Sequence, residues 1–101
     1  MRESAIERHL VRRVQALGGE CRKVQWPGRR GAPDRAVFLP GRLIWVELKA
    51  PGEKAKPHQI REHQRLQDLG QTVLIVDTIE QIDEQFPPPQ PKGINILHRL
   101  I

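Results

Sequence analysis

Apolar residues at helical spacing open the 101-residue chain and predict a first helix. They are Ile6, Leu10, Val14 and Leu17. Gly18-Gly19 supplies the end of this helix, because glycine favours the position just past a helix C-terminus. Residues 20–26 then predict a weak strand interrupted by Arg22 and Lys23, and the basic, glycine-flanked segment 27–31 predicts a loop.

Two apolar segments around Pro40-Gly41 predict a β-hairpin. With this dipeptide in the turn, Leu39 faces Arg42, and the same pairing continued along both strands places Asp34 opposite Glu47. A four-residue loop from Leu39 to Arg42 keeps this register, whereas a bulge would change it.

The second half of the chain predicts a helix, a strand and a short helix. Pro57 suits the first turn of a helix that ends at Gly70. Its apolar positions are Ile60, Leu66 and Leu69. Residues 72–76 predict a buried strand, and Thr78 can cap a helix over 79–85.

The resulting order, α-β-β-β-α-β-α, predicts an α/β domain with a mixed central sheet flanked by helices. The crossover from Lys49 to Thr72 implies a parallel pair of strands. We place the domain at residues 1–86, followed by a proline spacer and a short apolar tail over 87–101. At this length the chain can form one domain with a modest core.

The predicted hairpin brings two acids and a lysine together at one edge of the sheet. Lys49 lies two residues past Glu47, so both side chains share a face with Asp34. Facing carboxylates repel unless a cation or proton lies between them, and a carboxylate pair with a lysine suits a magnesium ion beside a phosphate. Alternatively, Glu47 and Lys49 are solvated strand residues and Asp34 only starts a turn, although the apolar run Leu43–Val46 means that charges at the end of this strand need a reason.

Composition narrows the class of protein. The net charge of +5, from 17 Lys and Arg against 12 Asp and Glu, favours an anionic polymer as partner. Two Trp, two Phe and no Tyr argue against a stacking platform for single strands. A single cysteine excludes an internal disulfide and gives no zinc-ligand spacing. Without an apolar run of membrane-spanning length, we expect a protein of the bacterial or phage-infected cytoplasm.

These residues carry a resemblance to a known family. Gly31-Ala-Pro-Asp34, Glu47-Leu-Lys49-Ala-Pro-Gly52 and Pro57-His-Gln59 resemble the virus-type replication-repair nuclease (VRR-NUC) domain, a member of the PD-(D/E)xK superfamily with the restriction-endonuclease-like fold. The resemblance extends from Glu7 to about Ile82. It implies a DNA nuclease dependent on Mg²⁺ or Mn²⁺. It further implies that stand-alone members are homodimers acting on branched DNA such as four-way (Holliday) junctions.

The resemblance also implies individual roles. Asp34 and Glu47 would hold the metal, and Lys49 would orient the attacking water or stabilise transition-state charge. Glu7 would complete the metal site, although Ser4-Ala-Ile-Glu7 is equally a helix capping box. Gln59 would contact the lysine, a metal-bound water or the DNA backbone, against the alternative of a solvated surface residue.

A second set of residues is basic and flanks the acids. Candidates to neutralise DNA phosphates are Arg29, Arg30, Arg35, Lys23, Lys54 and Lys56. We interpret His58 and His63 as surface residues. A dimer interface is expected at Leu10 and Val11 or at the tail, Ile94 to Ile101.

Two other functions fit the same residues. An exonuclease or flap nuclease would use the same acids, because substrate shape is read outside the motif. A DNA-binding module of this fold that does not cut is disfavoured by the presence of all three motif residues.

Overall fold

The structure is a computed structural model that describes residues 3–89. Its elements, in chain order, are α1 (Glu3–Ala16), β1 (Glu20–Lys23), β2 (Arg35–Leu39), β3 (Arg42–Leu48), α2 (Pro57–Asp68), β4 (Thr72–Val76) and α3 (Ile79–Gln85). This is the predicted order. The predicted tail, 94–101, lies outside the described residues.

The four strands form one sheet in the order β1-β2-β3-β4. Strands β1, β2 and β3 are antiparallel neighbours, and β3 pairs in parallel with β4, as the crossover predicted. In the hairpin Leu39 pairs with Arg42 and Arg35 with Val46. The predicted register is therefore confirmed, and it brings Asp34 and Glu47 to the same end of the sheet.

The core lies between one face of this sheet and helices α1 and α3. Ile6, Leu10 and Val14 of α1 are fully buried against the sheet, together with Ile82 of α3 and Phe86, which follows α3. The sheet contributes Val37, Ile44, Val46, Leu48 and Val76. Because side chains alternate along β3, Trp45 and Glu47 point to the other face, which α2 approaches through Gln59.

Helix α2 differs from the prediction in what it buries. Ile60 and Leu69 are 56% and 76% exposed, whereas Glu62 and His63 are buried. The helix lies over the polar end of the sheet, where Glu47 and Lys49 are, and its inner face is correspondingly polar. The interpretation of His63 as a surface residue is therefore wrong.

Two strands also differ in detail from the prediction. Strand β1 ends at Lys23, and Trp26 instead packs on Trp45 with ring centroids 5.0 Å apart. Strand β4 is less buried than its apolar sequence predicted, with Ile75 39% exposed, because it lies at an edge of the sheet.

The start of α3 is as predicted: the Thr78 hydroxyl accepts a hydrogen bond from the Gln81 amide. No helix within residues 3–89 is both long and apolar enough to span a membrane.

Candidate active site

Asp34 lies immediately before β2 and is tied to the neighbouring strand. Its Oδ1 accepts a hydrogen bond from the backbone amide of Leu48 at 3.2 Å, and its Oδ2 lies 3.1 Å from the Arg35 guanidinium. The side chain is 33% exposed. Asp34 is thus held at the end of β3, beside Glu47, with part of its carboxylate facing solvent.

Glu47 is a buried carboxylate with one hydrogen-bonded and one unsatisfied oxygen among the described residues. The residue is 7% exposed, and its Oε2 accepts a hydrogen bond from Gln59 Nε2 at 3.1 Å. Its Oε1 is buried and has no hydrogen-bond partner among residues 3–89. Burial first, and then repulsion from Asp34, raise the pKa of Glu47 from 4.5 to about 7. A buried carboxylate oxygen without a donor, next to a second carboxylate, fits a metal cation well.

Lys49 lies two residues after Glu47, immediately past the end of β3, and is also buried, at 6% exposure. Its Nζ lies 3.7 Å from Glu47 Oε2 and 3.5 Å from Glu53 Oε1. The backbone amide of Lys49 donates to the Val76 carbonyl at 2.9 Å, which extends the parallel pairing by one residue. The ammonium group is therefore fixed between two carboxylates.

Gln59 is placed by the start of α2. Its Oε1 accepts a hydrogen bond from the Lys56 amide at 2.9 Å, as in a capping box, while its Nε2 donates to Glu47. One amide side chain thus links the helix N-terminus to the buried acid. This contact favours the site interpretation of Gln59 over that of a solvated surface residue.

Glu7 makes a contact that neither sequence interpretation predicted. Its carboxylate pairs with the guanidinium of Arg35, which is 6% exposed. The capping box is wrong, because Ser4 is itself within α1. Glu7 and Asp34 therefore share Arg35 as their ion-pair partner, and no group of three His, Cys, Asp or Glu suited to a metal ion occurs among residues 3–89.

Arg35 forms ion pairs with two acids in this structure. A guanidinium this buried, between Glu7 and Asp34, presents little surface to DNA. In this structure Arg35 therefore compensates the charge of the acids, and the predicted contact with DNA would require it to leave these ion pairs.

The other predicted basic residues lie at the surface. Arg29, Arg30, Lys23, Lys54 and Lys56 are exposed. Arg29 Nε lies 3.4 Å from Glu62, and Lys54 Nζ lies 3.9 Å from Asp77. Sequence reasoning missed Arg61 and Arg65, which line a cleft with Arg29 and Arg30. Their four-residue spacing, which places them on one face of a helix, is the signal that could have identified them.

One of the predicted interface residues is not available to a partner. Leu10 is fully buried in the core, so the suggestion that it forms a dimer interface is wrong. Its neighbour Val11 is partly exposed.

Comparisons with known proteins identify the relatives of this chain. No family model matches the chain. A protein of Acyrthosiphon pisum secondary endosymbiont phage 1, named "Putative nuclease p44", is 54% identical over 79 residues, which cover 77% of this chain and 85% of the phage protein. A solved structure described as "VRR_NUC domain" superposes with a TM-score of 0.75 at 40% identity, covering 81% of this chain and 90% of that chain. This identity and coverage show that the chain belongs to the VRR-NUC family of nucleases.

Proposed function

We propose that the protein is a metal-dependent DNA endonuclease whose centre is formed by Asp34, Glu47 and Lys49. The observation that carries the proposal is the buried Oε1 of Glu47, which lies beside the Asp34 carboxylate and has no hydrogen-bond partner within residues 3–89. A protein that only bound DNA would have no use for two repelling acids in a basic surface, because they would oppose the phosphate charge.

Asp34 and Glu47 are the residues that would hold Mg²⁺ or Mn²⁺, since both ions prefer carboxylate oxygens. When bound, such an ion supplies Lewis-acid activation of the phosphate and of a water. Glu7 could join them only by leaving Arg35, so we assign it first to the ion pair.

The chain's own polar groups position the reacting atoms. Lys49 is held between Glu47 and Glu53, from where its ammonium would orient the attacking water and offset charge that develops on the phosphate. Gln59 donates a hydrogen bond to Oε2 of Glu47, and in the described part of the chain Oε1 has no donor. Arg35 lowers the net negative charge at Asp34.

The exposed basic residues would bring the anionic substrate to these acids. Arg29 and Arg30 lie in the loop that leads to Asp34, while Lys54 and Lys56 lie between β3 and α2. Together with Lys23 they would neutralise DNA phosphates without reading bases.

Incubation with a four-way junction, a flap and a linear duplex, each with and without Mg²⁺ or Mn²⁺, tests the proposal directly. We expect cleavage only with metal, and faster cleavage of the junction. Metal-dependent trimming from ends alone would instead establish an exonuclease, and preference for the flap a flap nuclease. Binding of all three DNAs without cleavage in either metal would contradict the proposed activity.

We further propose that the protein acts as a homodimer. A four-way junction presents two equivalent strands, and this single domain holds one candidate centre, so paired cuts require two chains related by symmetry. Sedimentation should give twice the 11.6 kDa mass of one chain. A single-chain species that persists when junction DNA is bound would contradict the dimer.

A further inference from the structure

An open cleft lies between the basic loop and helix α2. Its volume is about 330 Å³. The loop contributes Gly28, Arg29 and Arg30, and the helix contributes His58, Arg61, Glu62 and Arg65. Arg61 and Arg65 are one helical turn apart, so they form a second basic wall that faces the first. We call this feature the arginine cleft.

The charge in the arginine cleft is unbalanced. Four arginines line it against one carboxylate, that of Glu62, which is buried and lies 3.4 Å from Arg29 Nε. Partial desolvation and the positive charges of Arg30, Lys56 and Arg61 lower the pKa of His58, which lies in the same cleft. Four arginines and one carboxylate in the lining of a single cleft favour binding of an external anion.

The arginine cleft is also connected to the candidate active site. Gly31, at the end of the loop, approaches the first turn of α2 so closely that an added Cβ would lie 2.8 Å from the His58 carbonyl. The next residue of the helix, Gln59, binds Glu47, and Asp34 follows Gly31 by three residues. An anion in this cleft would therefore lie beside the acids and on their side of the sheet.

We propose that the arginine cleft binds a backbone phosphate of the DNA flanking the cleaved bond. Arg61 and Arg65 supply one wall and Arg29 and Arg30 the other, while Glu62 holds Arg29 in position. Arginine suits this role because its planar guanidinium can donate two hydrogen bonds to one phosphate. The cleft would grip the DNA independently of base sequence. That the anion is a DNA phosphate rests on the proposed function, whereas the excess of positive charge in the cleft is a feature of the structure itself.

The test measures binding without cleavage. In an Asp34→Asn background without metal, Arg61→Ala/Arg65→Ala is compared with Arg8→Ala/Arg12→Ala, which removes the same charge from exposed positions of α1 on the other face of the sheet. We expect the cleft variant to bind junction DNA at least about 10-fold more weakly and its salt-dependence slope to fall by about two. The α1 variant should stay within about 2-fold of its parent.

Arg29→Ala/Arg30→Ala, on the loop side of the cleft, should lose affinity for junction DNA to the same extent as Arg61→Ala/Arg65→Ala. Arg61→Ala/Arg65→Ala and Arg8→Ala/Arg12→Ala remove exposed side chains, so both should keep the melting temperature of the Asp34→Asn parent, which circular dichroism would check. Arg29→Ala/Arg30→Ala should melt at a lower temperature, because it leaves the buried Glu62 carboxylate without its ion pair. Unchanged affinity of Arg61→Ala/Arg65→Ala for junction DNA, or equal losses in the cleft and α1 variants, would overturn the proposal that the arginine cleft binds DNA phosphate. Since no cleavage is measured, a protein that fails to cut DNA would contradict the proposed activity and leave this result intact.

Discussion

Asp34→Asn and Glu47→Gln are each expected to lower the rate of DNA cleavage in magnesium on the order of 10³-fold, equivalent to about 4 kcal/mol of transition-state stabilisation. Each substitution removes one of the two carboxylates that face each other at the end of β3. A neutral amide oxygen binds a divalent cation far less well than a carboxylate does. Rates measured on junction DNA at saturating protein concentration would test this.

The same variants should bind DNA at least as tightly as the parent when metal is absent. Each removes a negative charge close to where phosphate would lie, so affinity should stay the same or rise. Glu84→Gln is a matched control, because it removes an equal charge from an exposed position of α3. Parent-like turnover of Asp34→Asn or Glu47→Gln would refute the site, as would an equal loss in the control.

Glu47→Gln also provides a readout that does not depend on activity. In the metal-free fold the pKa of Glu47 is about 7, against 4.5 for its ordinary value, so the ionised form destabilises the folded state. This cost is present above pH 7, declines as the pH falls from 7 to 4.5, and is absent below that. The variant should therefore be more stable than the parent by about 2 kcal/mol at pH 8, and the gain should disappear near pH 4.

The hairpin and its acids could be predicted from the sequence because local rules determine them. Pro40-Gly41 sets the turn, and the two-residue alternation of strands then fixes which side chains face each other. The parallel neighbour of β3 followed from the length of the crossover. The proximity of Asp34, Glu47 and Lys49 could therefore be predicted by counting residues along both strands from one turn.

The polar inner face of α2, which packs towards the sheet, could not be predicted in the same way. Periodicity assumes that a helix buries its apolar residues, and this assumption failed where the helix covers the charged end of a sheet. The pairing of Glu7 with Arg35 likewise joins positions 28 residues apart in α1 and β2, and it depends on how the helix crosses the sheet. Local sequence contains no signal for either contact.

Gly31→Ala is expected to lower both the stability of the protein and its rate of DNA cleavage, whereas Gly28→Ala is expected to lower stability alone. Both glycines have a positive φ, of +86° and +76°, so alanine costs about 1–2 kcal/mol of stability at either site. At Gly28 an added Cβ meets no atom within 4 Å. At Gly31 it would lie 2.8 Å from the His58 carbonyl oxygen and 3.0 Å from the Gln59 Cα, and this overlap should cost about 1–3 kcal/mol more.

The overlap at Gly31 matters for activity because backbone atoms cannot rotate away as a side chain would. Relief requires the start of α2 to move from the loop, and this shift carries Gln59 away from Glu47. A displacement of about 1 Å at a reacting centre can cost 10²-fold in rate, which is the loss expected for Gly31→Ala. Urea unfolding and cleavage rates of both variants would test this. Equal stability and full activity in both would show that the loop does not hold α2 against the acids.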